Sequence, residues 1–145
     1  MSKHAPLRLL AEDEDDLAVI SAALQDAVAK VGDIEWDARG RRVTLALNRY
    51  LWETPGGLLG NRVRAGLQFG SVLAVKSRNL RRDPPDAVVE LLAVRFEPGQ
   101  EAPGGAIRLD FAGGGDLELL VECVDAALAD ISTPWPTPST PAHEG

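Results

Sequence analysis

The sequence predicts an α+β protein, with about seven antiparallel strands forming a barrel or a sandwich between an N-terminal helix and a C-terminal helix. Three observations carry that expectation. Apolar and polar residues alternate through most of residues 33–122, the period of strands that bury one face. Turn-forming clusters interrupt the alternation at short intervals, and short loops join antiparallel neighbours. The period turns helical near each end, at Leu17, Ile20, Leu24 and Val28, and again at Val124, Ala127, Leu128 and Ile131.

Each element follows in order. Leu7 to Glu12 reads as a short leading strand. Asp13, Glu14, Asp15 and Asp16 then face the partial positive charge of unpaired N–H groups at a helix start, where Asp13 can act as the cap. Consecutive acids entering a helix suit that role better than a metal loop, whose ligands must converge from a bent backbone. Gly32 is the expected helix end. Ile34 and Trp36 answer Leu45 and Val43 across Asp37-Ala-Arg-Gly40, which makes a hairpin. A second hairpin is expected where Val63, Ala65, Leu67 and Phe69 face Leu73 and Val75 across Gly70-Ser71-Val72. Ala87 to Glu97 is nearly continuous in apolar residues, which suggests a strand covered on both faces.

The triple glycine Gly113–Gly115 admits two readings. Folded about Gly114, Phe111 meets Leu117, Leu109 meets Leu119 and Ile107 meets Val121. All six apolar side chains then share one face, with Arg108, Asp110, Glu118 and Glu122 on the other. A phosphate loop would lead into a helix and carry a lysine and a hydroxyl residue. Neither follows here, and Asp116, Glu118 and Glu122 would repel an anion. The hairpin is the expected structure, although Leu117, Leu120, Val121, Val124 and Leu128 also fit a helix.

Residues 1–6 read as a flexible start, 7–131 as one α+β domain, and 132–145 as a Pro-rich tail that cannot continue a helix. Strands followed by one closing helix give the order of a pleckstrin-homology-like barrel, in which the helix plugs one end. A two-sheet sandwich or a single strongly curved sheet would produce the same count.

Chemistry is sparse. His4 and His143 lie in terminal segments, poorly placed for a general base or a metal ligand. Cys123 is the only cysteine, so no intramolecular disulfide forms, which fits a reducing cytoplasm. It reads as a small core residue rather than a nucleophile. No apolar run approaches the roughly 20 residues that span a bilayer. No catalytic residue, cofactor or metal is expected. A carboxylate-dependent hydrolase stays in third place, because acids are plentiful and their pairing in a β-protein is invisible to spacing.

Charge is the unusual feature. Residues 39–82 hold ten cations against one acid, a net +9, while the remainder carries five cations and 21 acids, a net −16, which together recover the −7 of the chain. Arg42, Arg49, Arg62, Arg64, Lys76, Arg78, Arg81 and Arg82 are the candidate binding residues. In the expected second hairpin Arg64 opposes Arg78, a costly juxtaposition unless something anionic lies near. The chain's own acids, a second copy, another protein, a nucleic acid or another anionic ligand would each serve. Tyr50 and Trp52 beside Arg49 are the only aromatic cluster suited to base stacking.

The ordered blocks LRLLAEDEDDLAVISAALQDAVAKVGDI, NRYLWE, SVLAVKSRNL, LLAVRF and DFAGGGDLELLVECVDAALADI resemble the uncharacterised bacterial domain-of-unknown-function family 2948. The resemblance runs from about Leu7 to Trp135 and implies a small bacterial cytosolic protein. It implies no activity and supplies no functional residues. Residue chemistry then favours a small noncatalytic binding or assembly module working through an Arg-rich hairpin, with nucleic-acid or other anion binding as the alternative.

Overall fold

The computed structural model describes residues 6–50, 61–81, 83–132 and 135–136. Strand β1 (Arg8–Ala11) leads into helix α1 (Glu14–Ala23), followed by β2 (Val28–Lys30), a 3-10 turn (Val31–Asp33), β3 (Ile34–Asp37) and β4 (Arg42–Tyr50). Then come β5 (Asn61–Phe69), β6 (Val72–Arg78), β7 (Val88–Pro98), β8 (Gly105–Phe111), β9 (Asp116–Val121), β10 (Ala126–Asp130) and the two-residue β11 (Trp135–Pro136). The hydrogen-bonded path is β1-β10-β5-β4-β2-β7-β8-β9-β6, with β3 beside β4 and β11 beside β5. Every pairing is antiparallel. The result is one 11-stranded, unclosed sheet with one α-helix and one 3-10 turn among the described residues.

Alternation builds this sheet. In β4 the side chains of Val43, Leu45, Leu47 and Arg49 point inward in one phase, and β5 answers with Val63, Ala65, Leu67 and Phe69. Ile107, Leu109, Leu117 and Leu119 supply the opposite wall, each essentially without solvent exposure. Helix α1 lays Leu17 and Ile20 into the core against β1 and β7. Its Ser21 hydroxyl oxygen accepts the Val94 N–H at 2.9 Å.

Several expectations hold. The leading strand is present, and the Asp13 carboxylate accepts the Asp16 N–H at 2.8 Å as the helix cap. The first hairpin has the expected register, Trp36 opposite Val43 and Ile34 opposite Leu45. The triple glycine reverses two paired strands. Gly113 and Gly114 take φ of 93° and 95°, values that side chains resist, and the Phe111 N–H closes the loop onto the Gly115 carbonyl at 2.9 Å. Its register differs by two residues, with Leu109 opposite Leu117 and Ile107 opposite Leu119. A shift of two keeps every side chain on its face, so the hydrophobic pattern alone could not distinguish the two pairings.

Others need correction. The C-terminal helix is strand β10. Its Ala126 and Leu128 face the core while β1 and β5 flank it, and tertiary pairing overrides the helical period. Among the described residues no closing helix therefore plugs the sheet. Helix α1 ends at Ala23, well before Gly32, and Asp26 adopts φ 66° to turn the chain into β2. Strands β5 and β6 form no hairpin, since β5 pairs with β4 and β10 while β6 pairs with β9. Strand β7 is not covered on both faces, since Val88 and Leu92 are 63% and 45% exposed.

Candidate functional site

Folding cancels much of the charge segregation. Arg41 meets Glu122 at 3.1 Å, Arg42 meets Asp37 at 3.3 Å, Arg64 meets Asp33 at 3.1 Å and Arg78 meets Asp116 at 3.0 Å. Each of these acids lies outside residues 39–82. The Asp37 carboxyl is held below its ordinary range by the Gly40 N–H first and by Arg42 second.

Arg49 goes further. Its inward phase on β4 carries the guanidinium into the interior, where Nε and Nη2 each donate to Asp130 at 2.8 Å. Both side chains have 0% exposure. The same carboxylate accepts the Leu7 N–H at 2.9 Å, so one acid joins β10, β4 and the entry to β1. This is a structural clamp in the core, which a soluble ligand does not reach.

On the solvent face of β4 and β5, Arg62 is 9% exposed and lies 4.0 Å from the Tyr50 ring centroid. It donates to the Tyr50 hydroxyl at 2.6 Å and to the Asn48 carbonyl at 3.3 Å. Arg64 donates to the Asn48 side-chain oxygen at 3.2 Å. Nearby, the Glu90 carboxyl is pushed above its ordinary value by a hydrogen bond with Asp26, then by burial and by the Asp26 charge, while Arg62 opposes the shift. Two carboxyl groups hydrogen-bond only when one carries a proton.

That pair has a stability consequence. Glu90 holds its proton more tightly in the folded state, so stability is fullest below the ordinary glutamate range and declines as pH rises toward the raised value. Glu90→Gln retains a donor for Asp26 and removes the second charge. Urea unfolding at pH 5 and pH 7.5 should show a gain of about 0.5 kcal/mol for the variant at the higher pH only. Parallel curves for the two proteins would refute the raised Glu90 carboxyl.

The outer face of β7, β8, β9 and β6 carries a second charge system. One cross-strand row runs Arg95, Arg108, Glu118, Lys76, and the next runs Ala93, Asp110, Asp116, Arg78. Arg95 meets Asp110 at 2.8 Å and Arg108 meets Glu118 at 3.0 Å, while Arg108 is also 3.3 Å from Glu97. Arg108 is the main reason the Glu97 carboxyl sits below its ordinary range. Both rows end at β6 in a cation.

The candidate residues therefore separate. Arg42, Arg49, Arg62 and Arg64 are engaged within the chain. Lys76, Arg78 and Arg81 stand exposed on or just after β6, and among the described residues Lys76 and Arg81 make no ion pair. Arg82, Trp52, His4 and His143 lie outside the described residues. No group of three or more His, Cys, Asp or Glu residues is placed to hold a metal among the described residues. Cys123 is a half-buried free thiol. No helix among them is long and apolar enough to cross a membrane.

Beside β6 lies an apolar groove of about 220 Å³ lined by Val31, Gly32, Ile34, Trp36, Leu80 and Leu117. Sequence reasoning missed both this groove and the Asp26–Glu90 pair, because each joins residues from distant segments. A periodic apolar stripe signals a buried face, and nothing in it signals a gap between two strands.

The architecture defines a β-rich protein built on one antiparallel sheet with one α-helix among the described residues. The chain belongs to the family described as protein of unknown function DUF2948, which matches residues 7–143. A search of curated proteins found no match.

Proposed function

We propose that this chain is a noncatalytic binding or assembly module, with the exposed basic edge at β6 as its interaction face. One observation carries the reading: β6 ends the sheet path, with β9 on one side and no strand on the other among the described residues. That edge presents Lys76 and Arg78, and Arg81 follows. An unpaired strand edge is a template for another chain. Among the described residues Lys76 and Arg81 make no ion pair, and Arg78, though paired with Asp116, keeps 68% of its side chain exposed, so this segment is open to a partner. A cytoplasmic location belongs to the same reading, supported by the single cysteine.

Amide chemical-shift mapping at low salt tests it, using an acidic peptide and an RNA oligonucleotide of equal charge. The expected result is peptide-induced shifts centred on Lys76, Arg78 and Arg81, lost in the double variant Lys76→Gln, Arg81→Glu. An absence of shifts with either polyanion overturns the reading. Stronger shifts with RNA, spreading to Tyr50 and Arg62, replace it with nucleic-acid binding.

A further inference from the structure

Resting on that reading, we infer that β6 and the apolar groove beside it accept an extended acidic segment of a partner protein, added as one more antiparallel or parallel strand. The chemistry of the occupant follows from three features of the edge.

The first is direction of display. Lys76 and Arg78 lie two residues apart on β6 and end two adjacent cross-strand rows on the solvent face. Within the sheet, each of those cations already has an acid as its inner neighbour, Glu118 or Asp116. A strand added outside β6 would place its own outward side chains directly beside Lys76 and Arg78. Acids at alternate positions would continue both rows with opposite charges, and like charges there would be repelled.

The second is the groove. Residues alternating with those acids would point the other way, toward the side where Leu117, Leu80, Ile34 and Trp36 line the cavity. Trp36 is 39% exposed, an apolar surface available for contact. Strand β3, which carries Ile34 and Trp36, pairs only with β4 among the described residues, which leaves its other edge open there too. The fitting sequence therefore alternates acidic and apolar residues, the pattern that strand addition reads through alternate side-chain pockets.

The third is exclusion of the chain's own edge. A register irregularity at Leu73 and the cation at Lys76 are the devices that keep strand edges from pairing with copies of themselves. Two β6 edges brought together would collect Lys76 and Arg78 from both copies in one place. The features that discourage a second copy favour an acidic strand.

The test compares two short peptides of one composition with the full-length protein, one alternating Glu and Val and one with the glutamates and valines in separate blocks. The alternating peptide is expected to bind roughly tenfold more tightly, as two added cross-strand charge pairs would give. Hydrogen exchange should slow at amides within Leu73–Arg78, and Trp36 fluorescence should change, a signal absent from Trp36→Phe. Equal affinity for the two peptides overturns strand addition while leaving the basic face as a binding surface. Tight binding without slowed exchange in β6 also overturns it. No binding by either peptide overturns both this inference and the reading it rests on. A proline placed at the centre of the alternating peptide should abolish its advantage, because it removes a ladder donor.

Discussion

Asp130→Ala is expected to lower the unfolding free energy by about 3–5 kcal/mol, the loss typical when one member of a buried ion pair is removed. The geometry explains the size. Arg49 donates two hydrogen bonds of 2.8 Å to this carboxylate, and both side chains have 0% exposure. Alanine leaves the guanidinium facing an apolar interior that cannot solvate it. The Leu7 N–H loses its acceptor as well, which loosens the approach to β1. Thermal unfolding should fall by about 10–15 °C. The double variant Arg49→Met, Asp130→Leu should recover most of the loss, since apolar residues of similar volume often replace a buried pair without cost. A single-variant loss below about 1 kcal/mol would contradict the burial of this pair.

The clamp also marks what local reading of a sequence can reach. Arg49 and Asp130 are 81 positions apart. Before folding, the strand period places Arg49 in phase with Val43, Leu45 and Leu47, which hints at an inward arginine. Nothing local identifies its partner. The first hairpin was legible because Asp37-Ala-Arg-Gly40 is a short turn and its flanking apolar residues admit one register. The glycine hairpin was legible in kind but not in register, since a two-residue shift leaves the same face buried. Strand β10 was hidden because Val124, Ala126 and Leu128 fit the strand period while Val124, Ala127, Leu128 and Ile131 fit the helical one. Its neighbours β1 and β5 decide the case, and they come from elsewhere in the chain.

The candidate site divides along the same line. Charge segregation is a property of the linear sequence and was visible as such. Its cancellation is a property of the fold, because Asp33, Glu122, Asp116 and Asp130 reach the arginines from other elements. What survives on the β6 edge is smaller than the basic segment: Lys76 and Arg81 without an ion pair among the described residues, and Arg78, which is paired with Asp116 but keeps 68% of its side chain exposed. That edge exists because β6 pairs with β9 rather than with β5, a choice that turns on Gly70 and Ser71. Ser71 takes φ 56°, and the Gly70 N–H donates to the Asp125 carbonyl at 2.8 Å while the Val72 N–H donates to Arg41 at 3.0 Å. The chain leaves one half of the sheet there and enters the other.

Phe69→Ala tests that crossing. Phe69 ends β5 between Val43 of β4 and Ala126 of β10, with 0% exposure. Its removal should cost about 3–5 kcal/mol through lost burial and the cavity left behind. Leu73, which the expected hairpin would have set beside Phe69 on the buried face, is 52% exposed instead. Leu73→Ala should then cost less than about 0.5 kcal/mol, as exposed substitutions do. If β5 and β6 paired as a hairpin, the two side chains would share the buried face and both truncations would be severe. Denaturant unfolding of the two variants separates the arrangements: a loss at Leu73 comparable with that at Phe69 would restore the hairpin, bury β6 inside the sheet and remove the free edge on which binding depends.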